Sequence, residues 1–178
     1  MALLLFAHPY SDRSRANRAL LERVRDLSGL EVRRLYDLYP DFDIDVAAEQ
    51  AALGRHGLLI WQHPMYWYSV PSLLKHWIDE VLVRGFAYGA GGTALHGKRC
   101  WWVVTTGGNE DAFSRGGMHG HPLSAFIPTI EQTARFCGMQ WQEPLVLHGA
   151  HQVEKRELEA AADGYRERLE RLIESEGT

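Results

Sequence analysis

Residues 61–71, WQHPMYWYSVP, concentrate five aromatic rings, that of His63 included, and two prolines in eleven positions. They directly follow the apolar run GLLI, which predicts a buried strand that ends near Gln62 and leads into a rigid aromatic loop. Loops that leave the carboxyl ends of strands in an open α/β sheet are where ligands bind. Flat rings held there suit a flat, mostly apolar ligand, and a redox-active ring system is the obvious candidate.

A second candidate site is the loop HPYSDRSRAN, which follows the first predicted strand. It has no Walker glycines, so it is not a nucleoside-triphosphate loop. Ser14 lies near a predicted helix start with Asn17 three residues on, and hydroxyl, amide and free N–H groups at a helix N-terminus form an anion site. His8, with Arg13 or Arg15, could add positive charge. The alternative is that Ser14 is an ordinary helix N-cap.

Two further loops complete the candidate site. We interpret PMYWY as a ligand-contacting loop rather than a cluster of core or interface aromatics, because prolines bracket it at a strand end. The paired glycines of TTGG let the backbone approach a ligand and offer N–H donors to a polar ring edge, although a tight turn explains them equally well. An anion cradle with two ring-contact loops fits flavin mononucleotide (FMN). The predicted ring contacts are Met65, Tyr66, Trp67, Tyr68, Thr105, Thr106, Gly107 and Gly108.

The composition is that of an ordinary soluble globular protein. The 178 residues are 46% hydrophobic and 24% charged with a net charge of −4, and this length predicts one domain over 1–178. Acidic and basic residues are interleaved without a basic block, which argues against a nucleic-acid partner. No signal peptide or membrane-spanning run is recognisable, so we expect a cytoplasmic protein. Cys100 and Cys137 are expected to be reduced packing thiols.

Short apolar runs alternate with longer amphipathic ones, which predicts βα units around a parallel sheet. Strands are predicted at 2–7, 31–35, 57–62, 99–105 and 140–147. Helices are predicted at 15–27, 46–53, 71–83, 123–137 and 154–173. Five strands and about five helices predict an α/β, flavodoxin-like three-layer sandwich whose five-stranded parallel sheet has the order 2-1-3-4-5.

Three segments resemble the NAD(P)H:quinone oxidoreductase family of the flavodoxin-like superfamily: LYDLYPDFDID, HPMYWYSVPSLLKHWIDEVLVRGFAYG and GGTALHGKRCWWVVTTGG. The length, the start LLLFAHPYSDRSRANR and the YPDFDID segment are most similar to a bacterial subgroup. Its members are the quinone-reductase-like ancillary subunits of glutathione-gated potassium efflux systems. The resemblance covers most of the chain, from about residue 3 to 144, whereas the C-terminal helix is generic.

The resemblance implies a flavin bound by residues of three loops. It also implies NADH or NADPH as the electron donor, a quinone or similar acceptor, and a homodimer with two sites at its interface. The larger members of the family use FAD and carry extra C-terminal structure, so this short chain fits FMN better than FAD. The implied flavin contacts are His8, Ser14, Arg15, Ala16, Asn17, Met65, Tyr66, Trp67, Tyr68, Thr105, Thr106, Gly107 and Gly108.

The resemblance further indicates His119 and Tyr68 as catalytic residues. The larger quinone reductases place a tyrosine and a histidine six residues apart after TTGG, and the matching positions here are Phe113 and His119. His119 could donate a hydrogen bond or a proton to the reduced ring, or be a solvent-exposed loop histidine. The missing hydroxyl is either unfilled or supplied by water or by Tyr68, which with Trp67 would wall the pocket.

Several functions follow from these features. The leading expectation is an FMN-dependent NAD(P)H:quinone oxidoreductase. The second is a regulatory subunit of a membrane potassium efflux transporter, which would hold the chain at the cytoplasmic face of the membrane. A general flavin reductase with another acceptor is a further alternative, whereas an electron-carrying flavodoxin would have a more acidic surface. No metal site is expected, because the one close pair, His119 and His121, has no carboxylate or cysteine beside it at ligand spacing.

Overall fold

The computed structural model describes residues 1–175 and contains one sheet of five parallel strands. The last three residues of the domain predicted over 1–178 lie outside this described part. The strand order β2-β1-β3-β4-β5 confirms the prediction, and every neighbouring pair is parallel. The strands are β1 (Ala2–Phe6), β2 (Leu30–Arg34), β3 (Leu58–Pro64), β4 (Arg99–Thr105) and β5 (Gln140–Leu147).

Six α-helices lie between and after the strands in the part of the chain that the structure describes. Two 3₁₀ segments, Ser11–Arg13 and Leu123–Ala125, precede the first and fifth of them. The helices are α1 (Arg15–Val24), α2 (Leu35–Leu38), α3 (Val46–Arg55), α4 (Ser72–Val81), α5 (Ile127–Phe136) and α6 (Lys155–Glu174).

Several element boundaries differ from the prediction. Helix α1 ends at Val24 rather than at 27, because the chain must turn into β2 and does so through Gly29, whose φ is +81°. Residue 35, predicted to end the second strand, instead begins the short helix α2, which the sequence pattern did not predict. Helix α5 begins at Ile127 rather than at 123, because Pro128 is tolerated only in the first turn of a helix.

Both faces of the sheet are buried, which is why β1 and β3 are apolar at nearly every position. Successive side chains of a strand point to opposite faces. Leu3 and Leu5 belong to a core shared with α3, α4 and α5, whereas Leu4 and Phe6 belong to a core shared with α1 and α6. This arrangement is the predicted three-layer sandwich. Since β1, β3 and β4 are neighbours, the loops that follow them meet at one edge.

A fully buried carboxylate, that of Glu49, ties the helices on one face to the sheet. Its Oε1 accepts hydrogen bonds from Arg33 Nε (2.8 Å) and from the hydroxyl of Tyr39 (2.5 Å), and its Oε2 accepts one from Trp77 Nε1 (2.8 Å). Burial and the bond to Glu49 raise the pKa of Tyr39 to about 12. A buried charge is tolerated only when it is paired and hydrogen-bonded in this way, so this cluster fixes the relative positions of β2, α3 and α4.

The two cysteines, Cys100 and Cys137, are free and buried. Burial raises the pKa of both thiols, which makes them poor nucleophiles at neutral pH. Within residues 1–175, no helix is long and apolar enough to cross a membrane. In the same residues, no group of three or more histidine, cysteine or acidic side chains is placed to hold a metal ion.

Candidate flavin site

A cleft of about 470 Å³ lies where the loops after β1, β3 and β4 meet, and a segment after β5 closes one side of it. Most of the residues predicted from the first and third loops line it. No carboxylate lines it, although the chain has 23 acidic residues and a net charge of −4. The lining residues are His8, Tyr10, Arg13, Ser14, Arg15, Ala16, Asn17, Pro64, Met65, Tyr66, Thr105, Thr106, Gly107, Ala150 and His151. This composition favours an anionic ligand.

Ser14 is the N-cap of α1, and its hydroxyl accepts a hydrogen bond from the N–H of Asn17 at 3.2 Å. The cap interpretation of this residue is therefore confirmed. It does not compete with the anion-site interpretation, because the first N–H groups of any helix lack acceptors within the helix. The positive end of the helix dipole also points into the cleft. Arg15 is exposed beside it and Ala16 is buried beneath it.

The side chain of Asn17 is 1% exposed and connects α1 to β4. Its Nδ2 donates to Thr105 Oγ1 at 2.7 Å, and its backbone carbonyl accepts from Gln62 Nε2 at 2.9 Å. Gln62 is in turn held by the hydroxyl of Tyr165 in α6, at 3.2 Å. Asn17 Oδ1 has no hydrogen-bond partner although it is buried at the cleft. A buried acceptor of this kind requires a donor, and a hydroxyl of a ribityl chain is a suitable one.

Imidazoles stand on two sides of the cleft. The Nδ1 of His8 accepts a hydrogen bond from the N–H of Tyr10 at 3.0 Å, so a neutral His8 carries its proton on Nε2. Burial is the larger cause that lowers the pKa of His8, and the electrostatic interaction with His151 is the smaller one. Both favour this neutral donor form. His151 was not predicted from the sequence. The signal was available, because His151 follows the carboxyl end of β5, where the rule applied to the other loops also holds.

The start of the aromatic loop is rigidly held by His63, the next-to-last residue of β3. Burial lowers the pKa of His63 to about 4, so the ring is neutral. Its Nδ1 donates to the carbonyl of Pro64 (2.9 Å), and its Nε2 accepts from Trp102 Nε1 (2.7 Å). The N–H of Met65 donates to the carbonyl of Thr105 at 2.8 Å. Strand β3 therefore continues past the predicted end at 62, and Met65 is presented at the cleft in a fixed position.

Trp67 and Tyr68 are the two central residues of a tight turn, and neither lines the cleft. The turn is closed by two backbone hydrogen bonds between Tyr66 and Ser69, of 3.1 and 3.0 Å. Both central residues have positive φ, 50° and 62°, a conformation usually reserved for glycine or asparagine. Trp67 is 92% exposed. Strained residues of this kind concentrate at functional sites, so the turn remains a candidate contact for a ligand or a partner.

Tyr68 belongs to an aromatic cluster with Phe113, His119 and Phe126, next to the cleft. Its ring stacks on Phe126 (centroids 4.9 Å apart), and its hydroxyl lies 3.4 Å from His119 Nδ1. Phe113 is buried, and its ring also packs against His119, with the centroids 4.2 Å apart. His119 Nε2 is buried without a partner. A Cβ placed on Gly108 would come within 2.8 Å of that atom, so glycine at 108 permits the close approach of His119.

The glycine loop after β4 offers fewer free donors than its sequence suggests. The N–H of Thr106 donates to the carbonyl of Leu147 at 3.0 Å and is therefore taken up by β5. Within residues 1–175, no backbone acceptor is bonded to the N–H of Gly107 or Gly108, and these two donors remain for a ligand. Thr106 Oγ1 donates to the carbonyl of Gly108 (2.8 Å) and contacts His148 Nδ1 (3.0 Å). His148 therefore supports this loop, a role that was not predicted from the sequence.

A larger groove of about 720 Å³ lies between α1 and α6. Its charged side chains are of both signs, and it does not include the ends of the sheet strands. It shares only Arg15 with the cleft. The groove is lined by Arg15, Ala19, Glu22, Arg23, Lys155, Leu158, Glu159, Ala162 and Asp163. The cleft at the strand ends is therefore the better anion site.

The fold and the cleft together define a flavodoxin-like protein. A family model described as flavodoxin-like fold matches residues 1–169, and the chain belongs to this family. Within it, the chain is 52% identical over 169 residues to the glutathione-regulated potassium-efflux system ancillary protein KefF of Klebsiella pneumoniae (strain 342). The alignment covers 95% of this chain and 94% of that protein. The resemblance inferred from the sequence motifs is confirmed.

Two solved structures have the same fold and substantial sequence identity. General stress protein 14 of Treponema denticola, solved in complex with FMN, superposes with a TM-score of 0.90 at 34% identity; 96% of this chain and 98% of that chain are covered. An NADPH-quinone reductase from P. pentosaceus superposes with a TM-score of 0.84 at 30% identity; 93% and 95% are covered. The cleft and its unpartnered groups fit the type of cofactor that the first of these proteins binds.

Proposed function

We propose that this chain is an FMN-dependent NAD(P)H:quinone oxidoreductase that also acts as an ancillary regulatory subunit of a glutathione-gated potassium efflux system. The observation that carries the proposal is the acid-free cleft at the ends of β1, β3 and β4, in which the buried Asn17 Oδ1 lacks a partner. The relatives that bind FMN, reduce quinones or accompany a potassium efflux system support it.

The residues after β1 would hold the phosphate end of FMN. The N-terminus of α1, capped by Ser14, supplies N–H donors and the helix dipole, and Arg15 supplies charge. Asn17 Oδ1 would accept a hydrogen bond from the ribityl chain, and its position is fixed by Thr105. FAD remains the less favoured alternative for this short chain.

The residues after β3 and β4 would hold the flavin ring. Met65 and Tyr66 provide one wall of the cleft, and the free N–H groups of Gly107 and Gly108 are suited to the polar ring edge. Donors aimed at that edge stabilise negative charge on the reduced ring. FMN, when bound, accepts a hydride from NADH or NADPH and passes it to a quinone. The protein's task is to orient the ring and exclude water.

His119 and Tyr68 would hold the proton that accompanies reduction. The Tyr68 hydroxyl lies 3.4 Å from His119 Nδ1, and Phe113 packs against the same imidazole. Tyr68 would thus replace the hydroxyl that Phe113 lacks. His119 Nε2, buried and unpartnered beside Gly108, would face the edge of the bound ring.

The exposed strained turn at Trp67 and Tyr68 is suited to a site shared between two copies of the chain, and we propose a homodimer. Trp67 is 92% exposed and the adjacent Tyr68 is 42% exposed, so the turn offers two neighbouring aromatic rings to a partner. The transporter partner would place the chain at the cytoplasmic face of the membrane, since the residues described contain no spanning helix of their own.

A non-catalytic, flavin-binding regulator is the second candidate function, and the absence of a hydroxyl at Phe113 is the observation that favours it. A general flavin reductase with another acceptor would use the same cleft. The three are separated by whether NADPH reduces the bound flavin and whether a quinone reoxidises it.

The test is the visible spectrum of the purified protein loaded with FMN, recorded without oxygen before and after NADPH and again after a quinone. Bleaching by NADPH and recovery with the quinone are expected for the oxidoreductase. Bleaching without recovery would indicate another acceptor. Bound FMN that NADPH cannot bleach would leave the regulator. Deletion of the protein would then disturb the control of potassium efflux, whereas substitution of Tyr68 and His119 would not.

A further inference from the structure

One imidazole at the cleft has no role in the proposed reaction. His151 lies on the segment between β5 and α6 and lines the cleft together with His8. Its ring passes over the glycine loop, because a Cβ placed on Gly107 would lie 3.8 Å from His151 Cδ2 and 3.9 Å from its Nε2. The side chain is otherwise exposed, and no hydrogen bond occupies it among the described residues.

Two arginines, Arg13 and Arg15, line the same space as His151 together with the neutral His8, and among the described residues no aspartate or glutamate lines it. The first turn of α1 adds the positive end of its dipole. Such a concentration of positive charge in a chain of net charge −4 is unfavourable unless an anion offsets it. The buried, unpartnered Asn17 Oδ1 in the same cleft independently indicates that a ligand belongs there.

We propose that His151 binds the phosphate of the flavin nucleotide by donating a hydrogen bond from its imidazole, which lines the same cleft as the first turn of α1. This inference rests on the proposed function of the cleft. His8 contributes differently, because its Nδ1 accepts from the N–H of Tyr10 and it donates only through Nε2. The imidazole of His151 makes no such hydrogen bond among the described residues, so its N–H remains for the phosphate.

The titratable and charged groups near His151 come from four segments. Those that line the cleft with it are His8, Tyr10, Arg13, Arg15 and Tyr66. Those on its own segment are His148, Glu154 and Lys155. The loop after β4 contributes Glu110, which interacts with His148 and does not line the cleft. Among these, His148 is bonded to Thr106 Oγ1, and Glu154 does not line the cleft.

The test compares FMN with riboflavin, which differs only by lacking the phosphate, with each Kd measured from flavin fluorescence. In His151→Gln we expect the Kd for FMN to rise about tenfold and the Kd for riboflavin to stay unchanged, because one charge-assisted hydrogen bond is lost. His151→Arg should restore FMN binding. His121→Gln, a substitution of an exposed histidine outside the cleft, is the matched control and should bind both flavins normally.

Normal FMN binding by His151→Gln, or an equal loss for both flavins, would overturn the assignment. If wild-type protein bound neither flavin, the proposed function would fall and this inference with it.

Discussion

The hydroxyl of Tyr68 lies 3.4 Å from Nδ1 of His119, and the two residues are 51 positions apart in the chain. The contact joins the turn after β3 to the glycine-rich loop after β4. Phe113 packs against the same imidazole, at the position where the resemblance implies a tyrosine in the larger quinone reductases. Phe113 has no hydroxyl, so the hydroxyl near His119 comes from Tyr68, on a different loop.

Tyr68→Phe tests whether this hydroxyl takes part in proton transfer. We expect quinone turnover to fall about tenfold with FMN content unchanged, since the stacking on Phe126 is kept and only the partner of His119 is lost. Steady-state kinetics with a matched flavin assay measure both quantities. His121→Gln is the control, and turnover equal to wild type in Tyr68→Phe would remove Tyr68 from the reaction.

Ser14→Asp tests the phosphate cradle without disturbing the helix. Aspartate is as good an N-cap as serine, so α1 should remain capped, whereas its negative charge should repel the phosphate. We expect folded, colourless protein. Ser14→Asn keeps the cap without the charge and should retain the flavin. Circular dichroism and the visible absorbance of both variants give the answer, and a yellow Ser14→Asp protein would show that the phosphate lies elsewhere.

Trp67→Gly tests whether the strained turn is maintained for function. Relief of the positive φ at this position should raise the free energy of unfolding by about 1 kcal/mol. Trp67→Ala keeps the strain and should leave stability within about 0.5 kcal/mol, because the indole is exposed. Both variants should bind the flavin or the quinone more weakly. Urea unfolding and binding titrations check this, and unaltered binding in both would assign Trp67 to another partner.

The buried His63 predicts an acid-sensitive fold. Its pKa is lowered from 6.5 to about 4 by burial, so the unfolded chain binds a proton that the folded chain does not. Stability should be unaffected by this group above about pH 6.5 and should fall as the pH drops from there towards 4. Protonation of His63 would also put a hydrogen on Nε2, which then could no longer accept the hydrogen bond from Trp102 Nε1. In urea unfolding, the free energy of unfolding should fall less steeply with decreasing pH in His63→Gln than in wild type. Equal pH dependence in the two proteins would contradict this account.

Glu49→Gln should destabilise the protein by about 3 kcal/mol, because it leaves the guanidinium of Arg33 without its buried counter-ion. Glu159→Gln is the control; its ion pair with Lys155 is exposed, and its loss should change the free energy of unfolding by less than about 0.5 kcal/mol. Denaturant midpoints at neutral pH measure the difference. If Glu49→Gln lowered the free energy of unfolding no more than the control does, the Glu49 cluster would contribute little to stability.

Much of the fold could be predicted because the pattern of apolar residues records burial locally. The runs that became β1, β4 and β5 were placed within one residue of the observed bounds. The short helix α2 was missed because four residues carry no helical periodicity of their own. The predicted start of α5 at 123 was too early, because Pro128 can occupy only the first turn of a helix. The helix therefore begins at Ile127.

The candidate site was predicted less completely. The loops could be chosen from the positions of strand ends, and the cleft contains His8, the start of α1, Met65, Tyr66 and residues 105–107. Trp67 points into solvent instead, and Thr106 donates its N–H to β5. Whether the residues in the cleft contact FMN stays a prediction. His148 and His151 were not predicted, because the strand-end rule was applied only to the loops after β1, β3 and β4, although both residues follow the carboxyl end of β5.

The alternation of strands and helices, and with it the sheet order and the loops that meet at its edge, could be predicted from the sequence alone. These features depend on hydrophobic periodicity and on glycine and proline, which act over a few residues. Three relationships emerged only from the fold: the contact of Tyr68 with His119, the hydrogen bond of Asn17 to Thr105, and the presence of His151 and His8 in one cleft. Such pairs join segments far apart in the chain, and their distances follow from how the strands and helices pack rather than from any local pattern.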